Sequence, residues 1–364
     1  MQLVRSLAKL DDLAIDVVTI DRKLRSVSTS HWEGVTVHRL PWTGRSVLTH
    51  ATGPGRRQIR EYVMGLKPDV VHAHDTYGLM VKGMPVPRAF TIHGFIHGDT
   101  LVSGERFAWV RSRIWRRVET DGWADQQHII SISPYVRERL TGIATGIIHD
   151  IDNPVAESFF LAERRECKGT IFSAAHISPR KNTLTLVEAF ARLVTGGMAA
   201  ELRLAGAEID AGYASRVRQR IDELRLADRV VWLGRINTEQ VRQELSTASV
   251  FALVSLEENS PIGIEEAMAM GVPVVTSNRC GMPYMVRDGE TGCLVDPNDP
   301  ADIARRLREL LDDDSLRARM SGTARQIALD RFHPGVVARR TRDVYMRAVR
   351  DDRSRISNGR AREQ

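Results

Sequence analysis

Short apolar segments alternate with helix-length amphipathic stretches along almost the whole chain, and this alternation most limits the fold. In the first half, residues 15–20, 35–40, 69–73, 89–93 and 128–133 read as strands, with helices such as 55–66 and 106–120 between them. The second half repeats the scheme. Strands at 169–174, 201–205, 230–233, 250–254 and 272–276 are separated or followed by helices at 183–194, 213–224, 238–246, 262–270 and 300–311. Two last helices, 314–329 and 334–349, complete the pattern. Alternation of this kind predicts parallel sheets with helices on both faces. The stretch DIDNPVAESFFLAERRECK, residues 150–168, carries Asn-Pro and many charges and reads as a linker. The expected fold is therefore α/β, with two Rossmann-like doubly wound domains facing a central cleft. The boundaries are 1–152 and 153–333, with helix 334–350 expected to pack back toward the first domain and 351–364 expected to be a disordered basic tail. The chain opens on QLVRSLAKLDD, which reads as the end of a helix. A complete βαβ opening would place a strand and a Gly-rich turn before it, on the order of 20–30 residues.

Composition narrows the class. The chain has 364 residues and is 42% hydrophobic, enough for two cores. No apolar run approaches the ~18 residues of a membrane span. The first residues lack the apolar stretch of a signal peptide. Three cysteines, Cys167, Cys280 and Cys293, form no CxxC pair, which points to a reducing, cytoplasmic setting without a zinc site. The net charge is +6, but no nucleic-acid-binding motif accompanies it, so no nucleic-acid partner is expected.

The chemistry concentrates in EENSPIGIEEAMAMGVPVV, residues 257–275. Ser260 suits an N-cap and Pro261 the first helical position. The backbone N–H groups of Ile262, Gly263 and Ile264 then lie ahead of the helical ladder, and the helix dipole adds positive potential. Gly263 has no side chain to keep an anion away. This is a phosphate site by physics alone. Glu266, further along, leans back toward the helix start and can accept hydrogen bonds from paired hydroxyls, as on a ribose. Glu258, ahead of the helix, can reach hydroxyls on the other side of the same phosphates. The layout suits a nucleotide diphospho-sugar. A capped core helix with ordinary surface acids is the competing interpretation.

The string ENSPIGIEEAMAMGVPVVTSN resembles the E-x7-E signature of the retaining nucleotide-sugar glycosyltransferases of family 4 (group 1), which have the GT-B fold. GMPYMVRDGETGCLVDPND resembles that family's following stretch. The likeness runs from about residue 7 to about residue 345 and is diffuse in the first half. It implies sugar transfer from a nucleotide donor to an acceptor hydroxyl, with retention at the anomeric carbon and no metal cofactor. It makes the first domain the acceptor side and the second the nucleotide-sugar-binding side. It also implies a setting in polysaccharide or glycolipid synthesis, with a carbohydrate or lipid-linked acceptor.

The remaining candidates fall at strand ends. ISPRKN, residues 177–182, places Arg180 and Lys181 where they could neutralise a leaving diphosphate; a solvated basic turn is the plain alternative. The resemblance assigns Lys181 to the diphosphate and puts His176 where the family usually has an arginine, so His176 and Arg180 share the donor-binding expectation. TIHG, residues 91–94, puts His93 at a strand end; the resemblance gives it a contact with the donor sugar and so, with Lys181 and Glu258, a catalytic role. His72 and His74 share a strand face but have no third ligand in view, so a metal site is not expected. Asp150 and Asp152 have the D-x-D form of metal-dependent transferases, a match that arises easily by chance. CGMPY, residues 280–284, departs from the family's usual Gly-Gly-x-Pro-Glu. Along residues 105–125, Arg106, Arg111, Arg113, Arg116 and Arg117 alternate with Trp109, Trp115 and Trp123. Such a helix could lie peripherally on the inner face of a membrane, but Phe107, Val110, Ile114 and Val118 recur at core-face spacing, which favours inward packing. The rival functions are a non-catalytic nucleotide-sugar-binding subunit or truncated pseudoenzyme, and a nucleotide-sugar epimerase or hydrolase.

Overall fold

The structure, a computed structural model, describes residues 2–101 and 107–362, the side chains of Asp99 and of residues 355–362 excepted. The chain divides into two compact units, Met1–Asp152 with Gly335–Gln364, and Asn153–Pro334.

Unit 2 carries six strands: β8 (Thr170–Ala174), β9 (Glu201–Ala205), β10 (Val230–Gly234), β11 (Val250–Leu253), β12 (Val274–Ser277) and β13 (Gly292–Val295). All pair in parallel, in the order β10-β9-β8-β11-β12-β13. Successive side chains alternate between two cores, as the period of a strand requires. Ile171, Val250, Ala252 and Val275 pack with Leu186, Phe190, Val217 and Leu307 of the helices on one face. Phe172, Phe251 and Val274 pack with Leu245, Ile264, Met268 and Phe332 on the other. The strand order reverses between β8 and β11, which makes the carboxyl ends of those two strands the switch point where ligands of doubly wound sheets bind.

Unit 1 holds two sheets. β1 (Asp16–Asp21), β2 (Ser28–Trp32) and β3 (Val35–Pro41) form the first in the order β1-β3-β2; β4 (Val71–His74), β5 (Arg88–Ile92), β6 (His128–Ser131) and β7 (Ile147–Asp150) form the second in sequence order and wholly parallel. The final helix, Pro334–Arg362, belongs to this unit. Its Val337, Ala338, Val344 and Tyr345 are buried with Leu7, Ala89, Ile130 and Ile151.

Four sequence expectations change. The segment 150–168 is no loose linker: Asp150 ends β7, and Val155, Phe159 and Phe160, around the short helix Glu157–Leu161, are buried in the core of unit 2. Burial of two phenylalanines outweighs the polar character of the flanking residues. The tail from Asp351 is not disordered throughout, because the last helix continues to Arg362. Asp351 lies 3.9 Å from Arg347 and 3.5 Å from buried His128, and these contacts fasten the start of the extension. Residues 363–364 lie outside the described residues. In the helix Ala108–Ala124 the inward face is Ser112, Trp115, Glu119 and Trp123, while Phe107, Trp109 and Ile114 are exposed. Two stripes at helical spacing compete on this segment, and the one with two tryptophans wins the core. Arg106 lies outside the described residues. Finally, β2, β7 and β13 are strands that the apolar pattern did not single out, being polar or very short.

Candidate functional site

The loop after β8 and the segment after β11 meet at the switch point of unit 2. After β8, Ile177 donates its N–H to Ala207 (2.9 Å), and a 3-10 turn spans Pro179–Lys181. Asn182 closes that turn in the left-handed region, at φ 58°, a conformation asparagine tolerates better than most residues. Its side-chain amide donates to the carbonyls of Val254 (3.1 Å) and Pro297 (2.7 Å), and Leu256 donates its N–H to the Arg180 carbonyl at 2.8 Å. These bonds strap the basic turn to the segment that carries Glu258.

The side chains converge accordingly. Glu258 is buried, 8% exposed. Its Oε1 accepts from Lys181 Nζ, and its Oε2 lies 3.3 Å from Arg180 Nη1, which also donates to the Glu257 carbonyl at 2.9 Å. His176 is exposed at the end of β8 and enters none of these contacts. On the other side of Glu258, the Gly281 N–H donates to its carbonyl at 2.8 Å. A Cβ at Gly281 would collide with the Asn259 carbonyl oxygen, so only glycine lets the two backbones approach this closely.

The helix Ile262–Ala269 follows. Its start differs from the sequence expectation. Pro261 occupies the cap position without a side-chain cap, and the Ser260 hydroxyl donates to Glu265 Oε1 at 2.8 Å. Ile264 donates to the Pro261 carbonyl at 3.0 Å, so its N–H is already engaged. The N–H groups of Ile262 and Gly263 remain ahead of the helical ladder. Ile262 is 51% exposed, and a Cβ at Gly263 would stand 3.0 Å from the Phe251 ring and 3.5 Å from the Ala174 carbonyl at the end of β8. The helix start is thus held against the end of the central strand.

Glu266, one turn in, is half-buried, and burial pushes its carboxyl up to about 7 from an ordinary 4.5. The native state therefore holds a proton that the unfolded chain releases near pH 4.5, and stability must fall as pH rises from about 4.5 to 7. Glu266→Gln should remove this penalty and raise stability at pH 8 by up to about 3 kcal/mol, with little change at pH 4. Urea unfolding at both pH values checks it; equal effects at the two would remove the assigned cause.

In unit 1, His93 is exposed just after β5. Its Nε2 lies 2.9 Å from Nδ1 of His74 at the end of β4, and its N–H donates to Asp75 Oδ1 at 2.8 Å. Burial, then the neighbouring His93, pushes His74 down to about 3, so it is a neutral partner. A third histidine does stand beside His72 and His74. Yet both nitrogens of His72 are occupied, by the Tyr345 hydroxyl and by Thr91 Oγ1, each at 2.7 Å. Among the described residues no group of three or more His, Cys, Asp and Glu side chains is arranged to hold a metal. Asp150 of the D-x-D match is spent on Arg137, at 2.9 and 2.8 Å.

Sequence reasoning passed over Glu119. This buried carboxylate accepts from the N–H groups of Ile96 (2.8 Å) and His97 (3.0 Å) and from His97 Nδ1 (2.7 Å), fixing the segment that follows His93. The available signal was its place between Trp115 and Trp123 at four-residue steps, an acid on the face with the largest apolar side chains.

A parallel sheet with an anion-ready helix start and two cations at its switch point defines an α/β protein of the doubly wound class. Model matches and solved structures narrow this class. Residues 156–327 match the model described as glycosyl transferases group 1, and residues 1–145 match the glycosyl transferase 4-like domain. The chain belongs to the group 1 glycosyltransferases, family 4. Its fold is GT-B: sucrose-phosphate synthase from Thermosynechococcus elongatus superposes with a TM-score of 0.78 at 21% identity, covering 95% of this chain and 91% of that one. Anabaena HepE in complex with UDP and glucose superposes with a TM-score of 0.69 at 16% identity, covering 90% and 98%. Among curated relatives, N-acetyl-alpha-D-glucosaminyl L-malate synthase of Bacillus anthracis is 29% identical over 174 residues. The match covers 48% of this chain and 44% of that relative, so the chain spans less than half of its length.

Proposed function

We propose that this protein transfers a sugar from a nucleotide diphosphate donor to an acceptor hydroxyl with retention of anomeric configuration. The observation that carries the reading is the meeting of Lys181 and Arg180 with Glu258 beside the start of helix Ile262–Ala269. In this reading the N–H groups of Ile262 and Gly263 and the cations Lys181 and Arg180 hold the diphosphate. Once a bound donor has drawn the cations from Glu258, charge that develops on the leaving group meets donors already in place, so the reaction step itself needs no reorganisation. Glu266 accepts from the ribose hydroxyls and Glu258 from the transferred sugar. His93 is the unit 1 residue assigned to the reaction. Retention follows if the acceptor attacks from the face the diphosphate leaves, passing its proton to a phosphate oxygen. Side chains alone neutralise the diphosphate, so no metal is required.

The test is a thermal-shift screen of common nucleotide sugars, since a bound ligand raises apparent stability, followed by transfer assays with and without a chelator and by analysis of the product anomer. HepE was solved with UDP and glucose, which makes uridine donors the first arm. An inverted product, or transfer abolished by the chelator and restored by a divalent ion, overturns the corresponding part of the proposal.

The acceptor in this reading is carbohydrate or lipid-linked, in polysaccharide or glycolipid synthesis, and the exposed face of helix Ala108–Ala124 favours the lipid case. Phe107, Trp109 and Ile114 are exposed there, with Arg113, Arg116 and Arg117 beside them. Apolar residues flanked by arginines fit an anionic membrane surface. Co-sedimentation should show binding to vesicles rich in anionic phospholipid and little to zwitterionic ones. Arg113→Glu with Arg117→Glu should weaken it on the order of tenfold or more, at about 1 kcal/mol per basic residue. Equal recovery with both vesicle types defeats this surface. Among the described residues no helix is long and apolar enough to cross a membrane.

A further inference from the structure

We infer that Glu258 is a specificity-determining residue that makes the site discriminate between an intact nucleotide sugar and the bare nucleoside diphosphate left after transfer. The inference rests on the donor-site reading above and adds to it a competition that the unliganded geometry displays. The two cations assigned to the diphosphate are already satisfied, Lys181 by Oε1 and Arg180 by Oε2 of the same carboxylate. The Glu258 side chain is 9% exposed and that of Lys181 12%, so this is a nearly dry ion pair rather than a surface contact.

A diphosphate that takes these cations must displace Glu258. The carboxylate cannot follow them, because two anions would then face each other. Its own backbone is also fixed, with the Gly281 N–H on its carbonyl and Gly281 packed on Asn259. Glu258 is therefore left as a buried carboxylate stripped of its partners, which is strongly unfavourable. An intact donor carries the remedy, since sugar hydroxyls can donate to the two oxygens that the cations vacate. A bare diphosphate has no such hydroxyls at that position. The ion pair thus weakens the hold on the spent nucleotide and re-forms as it leaves, while the donor sugar offsets the same loss. Nothing is oxidised and no bond to Glu258 forms; the exchange is one of hydrogen bonds and charge.

The experiment is calorimetric titration of the full chain with uridine, guanosine and adenosine diphosphates and with their hexose conjugates. Glu258→Gln keeps the shape and removes the charge. It should bind the bare diphosphate about tenfold more tightly than the wild type while losing most of the gain that the hexose confers. Unchanged or weaker diphosphate binding by Glu258→Gln overturns the inference and shows that Lys181 and Arg180 merely hold Glu258 in place. Glu258→Ala is read in the same way. A wild-type measurement guards against poor folding of either variant: in the diphosphate complex Lys181 should have left Glu258 for a phosphate oxygen. A complex in which the Lys181–Glu258 pair persists beside bound diphosphate also overturns it. Absence of diphosphate binding in the wild type and both variants is a different outcome, which removes the donor-site reading itself.

Discussion

Lys181→Ala is expected to lower sugar transfer by on the order of 10²–10³-fold with the fold retained. Lys181 is the most enclosed cation at the switch point, its side chain 12% exposed against 30% for Arg180. A fixed charge in such a place stabilises a developing anion far more than one in open water. The variant also removes one partner of buried Glu258 but leaves Arg180 beside the second oxygen. The stability cost should stay near ~1–3 kcal/mol, the usual range for a buried group that loses one hydrogen bond. His176→Ala is the matched control. His176 is exposed and outside the Glu258 contacts, so its loss should change transfer by no more than a few-fold. Turnover by Lys181→Ala within a few-fold of wild type would remove Lys181 from the reaction.

Gly281→Ala should be nearly as damaging, although the residue carries no chemistry. The added methyl would meet the Asn259 carbonyl oxygen and crowd the carbonyl of Glu258. These are backbone atoms and cannot swing aside. The segment 258–259 must shift, at about 1–3 kcal/mol of stability. A displacement of about 1 Å at a positioning residue can cost about 10²-fold in rate. The informative signature is a loss of transfer larger than the loss of stability explains. Denaturant midpoints and initial rates on one preparation would reveal it, and an unimpaired rate would show that Glu258 tolerates movement. The neighbouring Cys280 adopts φ 53°, a left-handed conformation that glycine takes at no steric cost. Cys280 bears that strained backbone, while Gly281 beside it is the position where close approach of two backbones requires glycine.

How much of this was legible beforehand can be judged residue by residue. The strands of unit 2 stood out because parallel strands buried on both faces are continuous apolar runs, as in Val250–Leu253 with every residue buried. β2, with the sequence STSHW, offered no such run and forms only because β3 supplies an antiparallel partner. In the helix Ala108–Ala124 two stripes satisfied the same periodicity, and periodicity cannot choose between them. The docking of Trp115 and Trp123, with Glu119 on the N–H groups of Ile96 and His97, settled the phase. Ser260 looked like a cap because its type and place fit one. The helix instead begins one residue later, with Pro261 at the cap, and the Ser260 hydroxyl donates to buried Glu265.

The sequence by itself determined the local terms. These are the strand–helix alternation, the basic turn before Asn182, the glycine at the helix start and the acids on either side of it, all read from residue type and spacing over one or two turns of chain. Tertiary structure alone decided which of these groups meet. Lys181 and Glu258 are 77 residues apart in the chain and share one part-buried hydrogen bond. That meeting exists because β8 and β11 are neighbours in the sheet although two other strands separate them in sequence. Strand order is fixed by the joint burial of two cores, a sum over the whole unit that no short window of sequence contains.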